Sequence, residues 1–91
     1  MIIDISKFGT MLLSRPAGRE AFLSARAYLV PKEKKDEIIE LDFSQVKVLT
    51  PSWADEFVRG FEEEYGKEKI KIIEGNNLSV KTTFETLGAV S

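Results

Sequence analysis

Apolar and polar positions along this chain alternate, then regroup at helical spacing, then alternate again. Ile3 and Ile5 alternate with Asp4 and Ser6, which predicts a short first strand ended near Gly9. Met11-Leu12-Leu13 is apolar throughout and predicts a second strand or an extended link. The period then changes. Ala17, Ala21, Phe22, Ala25, Tyr28 and Leu29 fall on one face of a helix, with Arg19, Glu20 and Arg26 off it. Ser14 or Arg15 precedes Pro16, which suits a first helical turn, and Pro31 closes the segment. Arg15 and Arg19 crowd the positive end of this helix's macrodipole, where cations are mildly unfavourable.

Residues 31–36 read as a charged loop. The clearest local pattern follows at 37–65: a buried strand feeding a capped amphipathic helix. Ile39, Leu41 and Phe43 alternate with Ile38, Glu40 and Asp42, a strand with one well-buried face, and Val46 and Val48 continue in extended form. Thr50 is the expected N-cap and Pro51 the first helical residue, with Asp55 and Glu56 near the favourable end of the dipole. The helix is expected to bury Trp53, Ala54, Phe57, Val58, Phe61 and Tyr65 and to end at Gly66. Ile70, Ile72 and Ile73 predict a further strand. Asn76 or Asn77 then caps a last helix that buries Val80, Phe84 and Leu87, with Gly88 near its end. Strands alternating with helical segments imply crossover units and a largely parallel sheet covered by helices.

Size and composition narrow what such a fold can do. Ninety-one residues make one domain, here residues 1–91, with a single core. The chain has neither cysteine nor histidine, which excludes disulfides, thiolate or imidazole metal sites and histidine general bases, so no metal site and no cofactor are expected. Net charge is −2, and the cluster Lys32, Lys34, Lys35 is diluted by Glu33, Asp36 and Glu37, so no nucleic-acid surface is expected. No apolar run exceeds four residues and the N-terminus lacks the pattern of a signal peptide, so the expectation is a cytoplasmic protein without a membrane segment.

Candidate chemistry concentrates at the helix that starts near Thr50. Ser52 lies in its first turn, where a phosphate would meet backbone N–H groups and a favourable dipole, which makes it a candidate phosphoacceptor. Ser52 shares a stripe with Asp55, Glu56, Arg59 and Glu63, and with Thr50 these form a candidate partner-binding face. Charged stripes are more often simply solvated. Asp55 and Glu56 are adjacent and point about 100° apart, so they do not converge as an acid/base pair. Pairing one of them with Arg15 or Arg19 would account for arginines at an otherwise poor position, and the same arginines beside a helix start are a candidate anion site. Trp53, Phe57, Phe61 and Phe84 at helical spacing read as core. No motif carries catalysis, and no enzyme is expected.

The run Leu41-Asp42-Phe43-Ser44 through Thr50-Pro51-Ser52-Trp53-Ala54-Asp55-Glu56-Phe57-Val58-Arg59 resembles the STAS-like domains of bacteria, relatives of the sulfate-transporter and anti-sigma-factor-antagonist fold. Upstream, Leu13-Ser14-Arg15 followed by Arg19 resembles that group's helix entry, and 70–77 its next strand and Asn-capped helix. The resemblance implies a small α/β domain, a mixed, mostly parallel sheet of about four strands covered by about three helices. It also implies a regulatory module without enzymatic activity that binds a protein partner, a histidine-kinase-type ATPase or an anti-sigma-factor-like regulator. In anti-sigma-factor antagonists the serine matching Ser52 is phosphorylated by the partner kinase, which breaks the complex. Thr50 stands here in place of that group's aspartate, and Pro51-Ser52-Trp53 in place of its small-residue turn. Two other readings stay open: a small anion or nucleotide site at the helix start, and a small inhibitor protein from a mobile element. The oligomeric state is not fixed by any of these residues.

Overall fold

The computed structural model describes residues 1–32 and 37–90; the greater part of the predicted charged loop, with Lys34 and Lys35, lies outside the described residues. The elements run β1 (Ile2–Asp4), a 3-10 turn (Ile5–Phe8), β2 (Met11–Leu12), α1 (Arg15–Tyr28), β3 (Ile39–Asp42), β4 (Val48–Leu49), α2 (Pro51–Tyr65), a second 3-10 turn (Lys67–Lys69), β5 (Ile70–Ile73) and α3 (Leu78–Val90). Among the described residues all strand pairs are parallel, in a three-stranded sheet of order β1-β3-β5 and a two-stranded sheet β2-β4. The chain is therefore a small α/β domain, as the resemblance implies, its strands divided between two sheets.

One device, used twice, divides them. Asp4 and Asp42 are partners in the β1–β3 register, and each ends its strand by accepting the N–H of the serine two residues on, Ser6 at 3.0 Å and Ser44 at 2.9 Å. Such Asx turns offer the backbone an alternative to the ladder. The first strand thus ends at Asp4 rather than near Gly9, and Ile5 stays buried from a 3-10 turn that Gly9 closes at φ 126°. The broken strands then resume as β2 and β4, Leu12 opposite Leu49, both buried, and Met11 opposite Val48, both outward. The outer edge of β4 meets α3 instead of another strand. Asn77 caps α3 through Val80 N–H and donates its amide to the Lys47 carbonyl, while Ser79 and Thr83 bond the Leu49 N–H and carbonyl.

Ile3, Ile39, Leu41 and Ile70 line the covered face of the main sheet, and Ile2, Glu40 and Lys71 form a row on the other. Above the covered face α2 is the central helix. It buries Trp53, Ala54, Phe57, Phe61 and Tyr65 as its periodicity predicts, with Val58 half-buried. Trp53 and Phe57 stack with centroids 4.8 Å apart, and Phe57 meets Phe61 at 5.0 Å. α1 packs chiefly on α2 and comes close where both helices carry glycine, Gly18 against the Trp53 backbone and Gly60 against the Phe22 ring. That geometry corrects the expected apolar face of α1. Ala17 is exposed and Tyr28 is 85% exposed, because the contact runs through Gly18, Ala21, Phe22 and Ala25, and Val30 fills the core beyond the helix end. Among the described residues no helix is long and apolar enough to cross a membrane.

Candidate functional site

The starts of α1 and α2 lie side by side because their entries are built alike. Ser14 caps α1 by accepting the Ala17 N–H, and Thr50 caps α2 by accepting the Trp53 N–H at 3.3 Å, each just ahead of a first-turn proline. The Thr50 hydroxyl also donates to the Leu13 carbonyl, and its N–H donates to that of Leu12 at 3.0 Å, which ties the end of β2 to the start of α2. Thr50 is thus tied into the scaffold where β2 meets α2.

This alignment brings Arg15 over α2. Its Nη1 lies 2.9 Å from Asp55 Oδ2 and 2.9 Å from Glu56 Oε2, a single guanidinium spanning two neighbouring carboxylates. Arg59, one turn further along α2, closes on both oxygens of Asp55 at 2.8 and 2.7 Å. Arg19 takes no part; its guanidinium lies over the Phe22 ring, 5.4 Å from the centroid. Asp55 and Glu56 fall beyond the first turn of α2, which carries no acid, so their role there is this pairing more than the helix dipole. Glu63 is exposed and further along the same helix. Ser52 is half-buried and lines, with Arg15, Asp55 and Arg59, a groove of about 580 Å³ whose apolar floor includes Val58 and Phe84.

Burial pushes the Asp55 carboxyl up, but the hydrogen bonds from Arg15 and then Arg59 outweigh it, and the net direction is down from 3.8. The same contacts, Asp55 first and Glu56 second, raise Arg15 above its ordinary value. For a carboxylate the sign is fixed: a folded pKa below the unfolded one stabilises the fold above the unfolded value, and that stabilisation is lost as pH falls through the folded value. Wild type is therefore expected to lose urea resistance as pH drops below about 4, and Asp55→Asn to lose less over the same range. Parallel pH curves for the two proteins would sink this assignment. Exposure of Arg15 and Arg59 keeps each pair weak on its own. The network matters more as a definition of shape and charge at this end.

Some residues that build the site are small or hydroxylic and escape a search for large apolar spacing. Gly18, inside a helical segment, and Ser79 with Thr83, one turn apart on an otherwise apolar face, are the signals that the pattern held for them. Among the described residues no three carboxylates gather in a group able to hold a metal ion.

The family model for a STAS-like domain of unknown function (DUF4325) matches residues 26–80, a span that includes all of α2 and begins after Arg15 and Arg19. No curated protein and no solved structure matches the chain.

Proposed function

We propose, from the premise that the chain belongs to the STAS-like domain family DUF4325, that it is a non-enzymatic regulatory module binding a protein partner through the start of α2. The observation that carries this reading is the position of Ser52, at the second residue of α2 and in one groove with Arg15, Asp55 and Arg59. A phosphate on Ser52 adds a charge of about −1.5 to −2 one turn from Asp55 and Glu56. Repulsion from the two carboxylates and attraction to the two arginines act in the same direction. Arg15 and Arg59 exchange Asp55 for the phosphate, and the bridge between the helix starts is redistributed without any change in the core. A partner that reads this surface then meets a different one. The partner class in this reading is a histidine-kinase-type ATPase or an anti-sigma-factor-like regulator.

The alternative of a free anion or nucleotide at the same helix start has less to support it. Pro51 has no N–H, the Trp53 N–H is held by Thr50, and the Ala54 N–H closes the first turn at 3.1 Å, which leaves Ser52 to offer the remaining first-turn donor. Arg15 is already engaged by two carboxylates.

The test is a partner recovered with wild-type protein from its native host and then titrated with Ser52→Asp. The variant is expected to bind at least tenfold more weakly, about 1.4 kcal/mol. Equal affinity for both proteins means that charge at Ser52 is not the switch, and recovery of no specific partner removes the reading itself.

A further inference from the structure

Charge on the α2 stripe is largely satisfied within the molecule, whereas β2, β4 and the start of α3 carry several apolar side chains that water reaches. Met11 (64% exposed) and Val48 are cross-strand neighbours on the outer face of β2–β4. Leu13 follows β2 and is about half exposed. Leu78 (77% exposed) opens α3 directly after Asn77, whose amide is anchored to the carbonyl of Lys47, the residue before Val48. Next to Met11 and Leu13 runs a second groove of about 580 Å³, walled by Phe8 and Ala17. Exposed apolar side chains grouped beside a groove are the kind of surface that partners anchor on.

The break in the strands is what creates this surface. β2 and β4 are two residues long, and their inward positions, Leu12 and Leu49, supply the core contact. Nothing in core packing requires Met and Val at the outward ones.

The charges around the patch select the occupant. Lys47 adjoins Val48, Lys81 stands one turn after Leu78, and Lys7 precedes Phe8 of the groove wall; all three are exposed. Neither Lys47 nor Lys81 forms an ion pair among the described residues. Glu20 lies on the groove side and Asp4 lies near Lys7, so the basic excess rests on Lys47 and Lys81. The rim is therefore locally basic on a chain of net charge −2, the reverse of the acid-rich end of α2 at Glu62, Glu63 and Glu64. Complementary potential sets partner choice and approach rate, and apolar burial supplies the affinity.

We infer that the outer face of β2–β4 and the groove beside it dock an acidic protein segment carrying bulky apolar anchors. This rests on the reading of the domain as a protein-binding module and adds to it a second contact, outside the Ser52 stripe. The probe is a display library of randomised 16-residue peptides selected on the wild-type protein. Enriched peptides are expected to combine two or more large apolar residues with flanking Asp or Glu. Their affinity is expected to fall at least tenfold with Met11→Lys and with Val48→Lys, and several-fold with Lys47→Glu, where it also loses its salt dependence. Arg59→Glu, on the α2 stripe, is expected to leave them bound, and far-UV circular dichroism verifies the fold of each variant. Absence of enrichment, a basic or charge-neutral consensus, or peptides indifferent to Met11→Lys overturns the inference. So does a patch that serves instead as a self-association face, seen as a dimer in sedimentation that Met11→Lys dissolves, or one that binds phosphatidylserine vesicles in place of acidic peptides. Peptides lost with Arg59→Glu but kept with Met11→Lys would overturn this surface and leave the α2 reading standing.

Discussion

Phe57→Ala is expected to lower the free energy of unfolding by about 3–5 kcal/mol, the cost of a large buried aromatic removed from a packed site. Phe57 is fully buried at the centre of an aromatic run, stacked on Trp53 at 4.8 Å, tilted against Phe61 at 5.0 Å and within 5.6 Å of Phe8. Its neighbours come from α2 itself and from the first 3-10 turn, so the void cannot close by movement of one side chain. A domain of this size holds a total stability of about 5–15 kcal/mol, of which the loss is a large fraction. At roughly 4–8 °C per kcal/mol the melting temperature is expected to fall by at least about 12 °C. Val58→Ala, at a half-buried position one residue on, is the control and is expected to cost about 1 kcal/mol. If the two variants melt together, the aromatic run does not organise the core.

The large apolar residues made much of this legible. Ile39, Leu41 and Phe43 announce β3, and Trp53 to Tyr65 announce α2, because burial of big side chains dominates the free energy and imposes its period on the chain. Thr50, and the last helix's cap as far as Asn76 or Asn77, are readable for a different reason: capping chemistry is local and needs only the residues next to it. The division of the sheet was not readable as an alternation, since Ile3 and Ile5 are both buried whether the chain between them is a strand or turns at Asp4. The outward turn of Tyr28 depends on where α1 meets α2, a long-range fact that periodicity does not hold. At the candidate site the paired charges could be anticipated from arginines at an unfavourable helix end, but the choice of Arg15 over Arg19 is set by the angle at which the helices meet.

That angle and distance depend on Gly18, and Gly18→Ala is expected to destabilise the domain by about 2 kcal/mol while loosening the site. A methyl group there would stand 2.6 Å from the Trp53 carbonyl oxygen and 3.1 Å from its Cα, closer than side-chain carbons approach backbone. Alanine is the better helix former by about 1 kcal/mol, so propensity alone favours the substitution. Overpacking at about 1–3 kcal/mol opposes it, and the upper end applies because the obstacle is backbone and cannot rotate aside. The helices must separate at their starts, where Ser14 and Thr50 cap them and Arg15 reaches Asp55 and Glu56. A net loss in urea denaturation should therefore come with a second signature, an upward return of the Asp55 carboxyl in NMR titration as Arg15 draws away. Gly60→Ala meets a side chain instead, the Phe22 ring at 2.7 Å, well along α2 from Asp55. It is expected to destabilise the fold but to leave the Asp55 titration unchanged, which separates loss of stability from loss of the site. A more stable Gly18→Ala protein would mean that the helix starts are not in contact, and the geometry of the ion pairs built on that contact would fall with it.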